Sequence, residues 1–287
     1  MAEPLIEVDN LRVGFRAAHG VQEAVRGVSF AIGREKLGIV GESGSGKSLT
    51  GRSIMKLLPR KAMLTADRLR FAGVDLLAAS ERQMRRIRGN RISMILQDPK
   101  YSLNPLMPIG RQIMEAYRLH QNASRGEARQ RTLAMLEAVH IRDPERVFDL
   151  YPHEVSGGMG QRVMIAMMLI PEPDIIIADE PTSALDVTVR RQVLTVLDEL
   201  VTRRGTGLMF ISHDLNLVAD FCDRVLVMYA GRILEDLPAK DLGKARHPYT
   251  QALLDSLPRL DHPVDELKVP SRDPAWLTDP VPGAALI

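Results

Sequence analysis

The fold of this chain is decided by the stretch Gly41-Glu42-Ser43-Gly44-Ser45-Gly46-Lys47-Ser48. The stretch matches G-x-x-x-x-G-K-[ST], the pattern of a loop that wraps the phosphates of a nucleotide. The apolar run 37–40 before it predicts a short buried strand, and the pattern after it predicts a helix over 49–58, closed by Pro59. A strand that leads through a Gly-rich loop into a helix N-terminus gathers backbone N–H groups and the positive end of the helix dipole, which favours a bound anion.

Each part of this phosphate loop has a predicted task. Gly41, Gly44 and Gly46 allow positive φ and close approach of the backbone to phosphate. Lys47 is predicted to reach the β- and γ-phosphates, and the Ser48 hydroxyl to take a Mg²⁺ position. The loop therefore predicts binding and hydrolysis of a nucleoside triphosphate, but it does not say what the hydrolysis drives.

Length and composition narrow the class of protein. The chain has 287 residues, enough for one large α/β domain with an inserted or appended subdomain. Its formal net charge is +2 and its aromatic content 4%, so neither charge nor base-stacking surface favours a nucleic-acid partner. Cys222 is the one cysteine, which excludes an internal disulfide and fits a reducing compartment; we interpret it as a small buried apolar residue.

No segment of the sequence is predicted to enter a membrane. The N-terminal residues carry charge and proline and have no apolar core of a secretory signal. The longest apolar stretch, 163–170, falls far short of the roughly 20 residues that span a bilayer. Any membrane role is therefore expected to be peripheral, through a partner protein.

Alternating apolar strands and helices predict an α/β fold, a P-loop NTPase core with a mainly parallel sheet. An antiparallel β subdomain is expected near the N-terminus, and a helical insert at about 98–155, where the pattern becomes helical and charged. We assign 1–258 to the ATPase domain and 259–287 to a loosely ordered tail rich in proline and charge. The predicted strands are 5–15, 24–32, 37–40, 68–77, 91–96, 174–178, 207–212, 224–229 and 232–236. The predicted helices outside the insert are 49–58, 156–170, 188–203 and 214–222.

Two carboxylates follow the apolar strand that ends near Ala178. Asp179 at the end of such a strand can hold Mg²⁺ through water, and Glu180 can accept a proton from an attacking water. Taken alone, the pair would more often be an acidic cap between strand and turn. The phosphate loop in the same chain makes the magnesium and catalytic interpretation the favoured one.

A second helix start resembles an anion site. Ser156-Gly157-Gly158-Met159 precedes an apolar helix, so this N-terminus also offers backbone N–H groups. One nucleotide needs only one such site. The second is predicted to serve the nucleotide of a neighbouring subunit.

Together these motifs resemble the ATP-binding subunits of ABC transporters over about residues 5–258. The resemblance rests on the phosphate loop and on five further motifs in family order: Gln97, Ser156-Gly157-Gly158-x-x-Gln161, Asp179-Glu180, Ser183-Ala184-Leu185-Asp186 and His213. It implies that ATP and Mg²⁺ are bound, with nucleotide contacts at Phe15, Gly41, Glu42, Ser43, Gly44, Ser45, Gly46, Lys47, Ser48, Leu49, Ser156, Gly157, Gly158 and Met159.

The resemblance also implies roles for single residues. Phe15 is expected to stack on adenine, with a strand core position as the alternative. Gln97 is expected to touch Mg²⁺ and the attacking water, alongside Ser48 and Asp179, and Glu180 is the expected catalytic base. His213 is expected to contact the γ-phosphate, although a histidine after an apolar strand is more often a structural cap.

Four stretches resemble the oligopeptide, dipeptide and nickel importers within that family. They are the phosphate loop 41–48, Gln97-Asp98-Pro99-x-x-Ser102-Leu103-Asn104-Pro105, Tyr151-Pro152-His153-Glu154 and His247-Pro248-Tyr249-Thr250. Met159, where the wider family more often has Gln, is also common in this subfamily. The resemblance implies an ATP-hydrolysing importer subunit at the cytoplasmic face of the inner membrane. The implied partners are a second ATPase subunit (a copy or a paralogue), two membrane permeases that contact the helical insert, and indirectly an extracytoplasmic binding protein.

Other functions stay open at this point. The same ATPase could energise uptake of oligopeptides, dipeptides, nickel or another small solute. From another class, a soluble ABC-type ATPase could act on nucleic acid or ribosomes, although this chain lacks a long coiled-coil insertion, a second ATPase module and a basic surplus. A P-loop kinase would not need Ser156-Gly157-Gly158, and an exporter usually fuses its membrane helices to the ATPase.

Overall fold

The computed structural model describes residues 3–17, 20–256 and 273–277. The chain divides into two compact units. We call Ile6–Leu77 with Phe210–Ile287 the loop unit, since it contains the phosphate loop, and Met1–Leu5 with Ala78–Met209 the helical unit. Within the described residues, no helix is both long and apolar enough to cross a membrane.

The loop unit contains most of the strands. These are β1 (Ile6–Ala17), β2 (Gly20–Ile32), β3 (Lys36–Val40), β4 (Ala62–Thr65), β5 (Arg68–Phe71), β6 (Val74–Asp75), β10 (Arg224–Tyr229) and β11 (Arg232–Pro238). Its helices are α1 (Lys47–Ile54), α8 (Leu215–Phe221) and α9 (Pro248–Asp255).

The helical unit contains the predicted insert. Its helices are α2 (Glu81–Ile87), α3 (Ile109–His120), α4 (Arg125–Ala138), α5 (Pro144–Asp149), α6 (Gly157–Leu169) and α7 (Val187–Arg204). Its strands are β7 (Ile92–Ile95), β8 (Ile175–Asp179) and β9 (Gly207–Ile211), of which the residues up to Met209 belong to this unit.

Two kinds of sheet occur in the loop unit. β1 pairs antiparallel with β2, β4 and β5, with Val13 opposite Val25 and Val8 opposite Leu69. This is the predicted antiparallel subdomain, and its alternating apolar residues are buried. In contrast, β3 is parallel to β10, and the apolar run of each strand is buried throughout, as strands covered on both faces require.

Close packing of α8 on β3 fixes the strand that leads into the phosphate loop. A Cβ added at Gly38 would lie 2.2 Å from Val218 Cγ1 and 3.1 Å from Cys222 Sγ, so only glycine fits here. Cys222 is buried and unpaired, and burial raises the pKa of its thiol to about 12. The cysteine is therefore a small core residue, as the sequence predicted.

Local sequence signals explain the helices of the helical unit. Ser124 and Asp143 cap α4 and α5 by accepting the amides of Glu127 and Arg146, and Pro144, whose φ is fixed by its ring, opens α5. β7 and β8 are parallel and buried, with Met94 opposite Ile177. The acidic turn after β8 is thereby placed at the end of a rigid core strand.

Several predicted bounds need correction. The helix predicted over 49–58 ends at Ile54, because Lys56 adopts a φ of 51° and its ammonium donates to the Leu77 carbonyl at 3.0 Å. β4 and α2 were not predicted as separate elements. α2 buries Met84 and Ile87 and exposes Arg82, Arg85 and Arg86. Most of the predicted tail 259–287 lies outside the described residues, but Pro274–Leu277 forms a turn of 3₁₀-helix.

Replacing Gly38 by alanine is expected to lower the free energy of unfolding by about 1–3 kcal/mol, because the added methyl group overpacks against Val218. Urea denaturation measures the change. Gly33→Ala is the matched control, since nothing lies within 4 Å of the added carbon there, and it should shift stability by no more than about 0.5 kcal/mol. Equal stability of the two variants would contradict the packing described here.

Candidate nucleotide-binding site

Like α3, which begins after Pro108, α1 differs at its start from most helices of the described structure. Its N-cap is Gly46, in the left-handed region with φ 98°, and no side chain caps the helix. By contrast, a side chain accepts a first-turn amide in each of these helices: α2 (Ser80), α4 (Ser124), α5 (Asp143), α6 (Ser156), α7 (Asp186), α8 (Asp214) and α9 (His247). No N-cap side chain therefore competes with an external acceptor at the start of α1.

The backbone of the phosphate loop is held by neighbouring backbone atoms. A Cβ at Gly41 would lie 2.0 Å from the Met228 carbonyl oxygen, and one at Gly46 would lie 2.8 Å from the Ala24 carbonyl oxygen. The Gly231 amide, in the turn between β10 and β11, donates to the Ser45 carbonyl at 2.9 Å. Glycine is therefore needed at positions 41 and 46 so that the neighbouring backbone can contact the loop, as well as for close approach of a ligand.

Lys47 is folded back over the loop. Its side chain is buried, and its ammonium donates to the carbonyls of Gly41 at 2.7 Å and Glu42 at 2.8 Å. A buried ammonium held by neutral carbonyls keeps its positive charge close to the helix start, where a phosphate oxygen is a stronger acceptor than a carbonyl.

These residues fit a polyphosphate. The amides of Ser43, Gly44 and Gly46 donate to no protein group in the part of the chain that the structure describes, although Gly46 is buried. Buried donors need a partner, and nothing lies within 4 Å of the open side of Gly44. An anion at this loop would accept hydrogen bonds from these donors and would lie beside the Lys47 ammonium.

Two further predicted residues lie in the loop unit. The Ser212 amide donates to the Ile39 carbonyl at 3.1 Å, so the chain segment that carries His213 runs beside β3, the strand that enters the loop. His213 is exposed between β9 and α8. Phe15 is half-buried on β1, opposite Gln22 and Ala62, and does not belong to the buried core of the unit.

In the helical unit, Asp179 is the last residue of β8 and Glu180 follows it directly. Asp179 is 4% exposed, whereas Glu180 is half-buried and has a φ of 48°. A positive φ in a residue other than glycine is uncommon and marks a position that its surroundings hold under strain. Here the Ser183 amide and hydroxyl both donate to the Glu180 carbonyl, at 3.3 and 3.2 Å.

The Ser-Gly-Gly stretch starts α6 as predicted. The Ser156 hydroxyl accepts the Met159 amide at 3.3 Å, while Gly157 is exposed. A Cβ at Gly158 would lie 2.4 Å from Val189 Cγ1, so this glycine also permits α6 to approach α7. The buried Gln161 side chain donates to the Pro181 carbonyl, which joins α6 to the turn that follows Glu180.

Gln97 lies just beyond the end of β7 and is exposed. The next residue, Asp98, accepts the Lys100 amide at 2.9 Å and so fixes the chain directly after Gln97. Asp186 caps α7 by accepting the amides of Thr188 at 3.1 Å and Val189 at 3.0 Å. The structure thus places the predicted residues on the ends of strands and the starts of helices in both units.

Comparison with known proteins agrees with this arrangement. The family model described as "ABC transporter" matches residues 25–183, which include the phosphate loop, the Ser-Gly-Gly helix start and the two carboxylates. The chain belongs to the ABC transporter family. Its recognition as an ABC ATPase and its predicted fold class are thereby confirmed.

Two curated relatives and one solved structure show how far the similarity extends. The probable peptide ABC transporter ATP-binding protein y4tR of Sinorhizobium fredii is 52% identical over 90% of this chain and 78% of its own length. The dipeptide transport ATP-binding protein DppD of Bacillus subtilis is 48% identical over 98% of this chain and 85% of its own length. The dimeric structure of the bacterial ABC transporter cassette MJ0796 has a TM-score of 0.73 at 26% identity, over 82% of this chain and 98% of that chain.

The chain is thus an ABC ATPase that binds ATP, whereas the roles of single residues stay predictions. Sequence reasoning missed the residues that hold the phosphate loop from outside, namely Ala24, Met228 and Gly231. Their contacts use backbone atoms, so no side-chain pattern could have revealed most of them. The exception is the turn between β10 and β11, where Ala230 and Gly231 both have positive φ values and the glycine is a turn signal that can be read from the sequence.

Gln161→Met is expected to lower the free energy of unfolding by about 1–3 kcal/mol, because it leaves the Pro181 carbonyl without its donor. Chemical denaturation measures this change. Gln192→Met is the control, since Gln192 is exposed and accepts one hydrogen bond from Arg162 at 2.8 Å. A Gln161 variant as stable as the Gln192 variant would show that the link between α6 and the Glu180 turn contributes nothing.

Proposed function

We propose that this chain is the ATP-hydrolysing subunit of an importer that takes up oligopeptides or dipeptides. The observation that carries the cargo class is the pair of relatives named for peptide and dipeptide transport, at 52% and 48% identity over at least 90% of this chain. The uncapped start of α1, the loop amides of Ser43, Gly44 and Gly46 and the buried Lys47 support ATP as the energy source.

In the proposed reaction, water attacks the γ-phosphorus of ATP and yields ADP and phosphate. The loop amides and Lys47 bind the phosphate oxygens and neutralise charge that develops on them. Glu180 accepts a proton from the attacking water, and its strained backbone holds the carboxylate in one orientation. His213 contacts the γ-phosphate, and Phe15 stacks on the adenine ring.

Mg²⁺ is the proposed cofactor. Ser48, Gln97 and Asp179 supply a hydroxyl, an amide and a carboxylate oxygen, which are the ligand types that Mg²⁺ prefers when most of its shell is water and phosphate. When bound, the ion would supply positive charge to the β- and γ-phosphate oxygens. The fit rests on the hard oxygen character of these donors and on the burial of the Asp179 carboxylate.

A second ATPase subunit, either a copy or a paralogue, is proposed to complete each site. The exposed Gly157 at the start of α6, beside Ser156, offers a second anion-binding helix end that the chain's own nucleotide does not need. The structural relative solved as a dimer is consistent with such pairing. Opening and closing of the pair would give membrane partners a two-state element to respond to.

The proposed docking site for the permeases is a groove in the helical unit. Its volume is about 900 Å³, and it is lined by Pro105, Leu106, Arg146, Asp149, Leu150, Tyr151, His153 and Glu154. Leu106 is 87% exposed and Tyr151 stacks on His153 with ring centroids 5.8 Å apart. An exposed leucine and an aromatic pair with charges around them suit a short amphipathic segment of a permease. Docking there would keep the chain peripheral, at the cytoplasmic face of the membrane.

Glu180→Gln tests the proposed chemistry. The variant is expected to bind ATP as the wild type does, because the loop is unchanged, and to lose at least about 100-fold in kcat for want of the base. Steady-state phosphate release and ATP binding are measured on the same preparations. Glu172→Gln is the control because that side chain is exposed and stands outside the predicted site. Turnover of the Glu180 variant near that of the control would remove Glu180 from the mechanism.

Leu106→Asp tests the proposed permease groove. A charge on this exposed side chain is expected to reduce recovery of the permeases with the chain from gently solubilised membranes, while basal ATP hydrolysis stays within about twofold of wild type. Leu119→Asp is the matched control, since Leu119 is 74% exposed and does not line the groove. Equal recovery with both variants would place the permease contact elsewhere.

A further inference from the structure

A tyrosine far along the chain reaches the phosphate loop. Tyr249, in the first turn of α9, is 0% exposed, and its hydroxyl accepts the amide of Glu42 at 3.3 Å across 207 positions of sequence. The carbonyl of the same Glu42 accepts the Lys47 ammonium at 2.8 Å. Both polar groups of the Glu42 backbone are thus held, one by the loop lysine and one by Tyr249.

The start of α9 is itself fixed to β11. The buried Glu235 carboxylate accepts the amides of Arg246 at 2.6 Å and His247 at 3.0 Å. The buried His247 then accepts the Tyr249 amide on Nδ1 at 3.1 Å. β11 follows the turn whose Gly231 amide holds the Ser45 carbonyl, so the same hairpin supports the loop at two places, directly and through α9.

Aromatic packing sets the position of the Tyr249 ring. Its centroid lies 4.6 Å from that of Tyr229 and 5.7 Å from that of Trp276. Trp276, from the C-terminal segment 273–277, is 8% exposed and also meets Tyr229 at 5.8 Å and His247 at 6.1 Å. Such offset and edge-on contacts between buried rings fix a side chain in one orientation. The hydroxyl is the one polar atom of the Tyr249 side chain, and this packing directs it to the loop.

We propose that Tyr249 is a positioning residue for the phosphate loop, and that packing against Trp276 holds the Tyr249 ring in place. The inference rests on the proposed function, in which this loop binds ATP. By holding Glu42 before nucleotide arrives, Tyr249 lowers the ordering cost that ATP binding would otherwise meet, so its effect falls on affinity and not on the chemical step. The C-terminal segment thereby gains an influence on nucleotide affinity without touching the nucleotide.

Tyr249→Phe isolates the hydroxyl because the ring and its packing are retained. The loss of one neutral hydrogen bond is expected to raise both the Kd and the KM for ATP by about 3- to 10-fold, with kcat within about twofold of wild type. Tyr229→Phe is the matched control: it removes a hydroxyl from the same cluster, and within the described chain that hydroxyl makes no hydrogen bond. Trp276→Leu is expected to weaken ATP binding in the same direction as Tyr249→Phe.

The full-length chain is titrated with ATP and Mg²⁺ by calorimetry, and its thermal midpoint is measured alongside. Lys47→Ala reports on the loop itself. If the wild type binds no ATP, the proposed function fails. If the wild type binds and Lys47→Ala does not, but Tyr249→Phe binds as tightly as Tyr229→Phe, the role of Tyr249 alone is overturned. Equal weakening in Tyr249→Phe and Tyr229→Phe would also overturn it, because the packing of the cluster would then control affinity instead of the contact with Glu42.

Discussion

The structure depends on the way in which backbone atoms hold the phosphate loop. Carbonyl oxygens of Met228 and Ala24 approach Gly41 and Gly46 so closely that no side chain could stand between them. These backbone contacts fix the loop at both ends, and α1 then begins without a side-chain cap. The loop is therefore held in place before an anion arrives, so binding needs little reorganisation of its backbone.

In the helical unit, the acidic turn after β8 is likewise held by hydrogen bonds to its backbone carbonyls. Gln161 donates to the Pro181 carbonyl, and the Ser183 amide and hydroxyl hold the Glu180 carbonyl. These contacts maintain a positive φ at Glu180 that an isolated glutamate would avoid. Strain of this kind at the end of a buried strand is typical of residues whose orientation matters more than local stability.

Much of this could be predicted from the sequence, because the signals are local. The phosphate loop, the parallel strands, the Pro144 helix start and the carboxylates after β8 follow from glycine, proline and apolar periodicity. β4 was missed because its four residues show no buried alternation. The contact between Tyr249 and Glu42 could not be predicted from the sequence, because it joins positions 207 residues apart and depends on tertiary packing.

The most direct test of the central claim is ATP hydrolysis by this chain in proteoliposomes that contain its proposed partners, namely the permeases, a second ATPase subunit and the extracytoplasmic binding protein. Hydrolysis is measured with the binding protein empty and loaded with a mixture of short peptides. The account predicts that peptide-loaded binding protein stimulates hydrolysis and that labelled peptide accumulates inside the vesicles. Hydrolysis that ignores peptides, or that responds instead to nucleic acid, would contradict it.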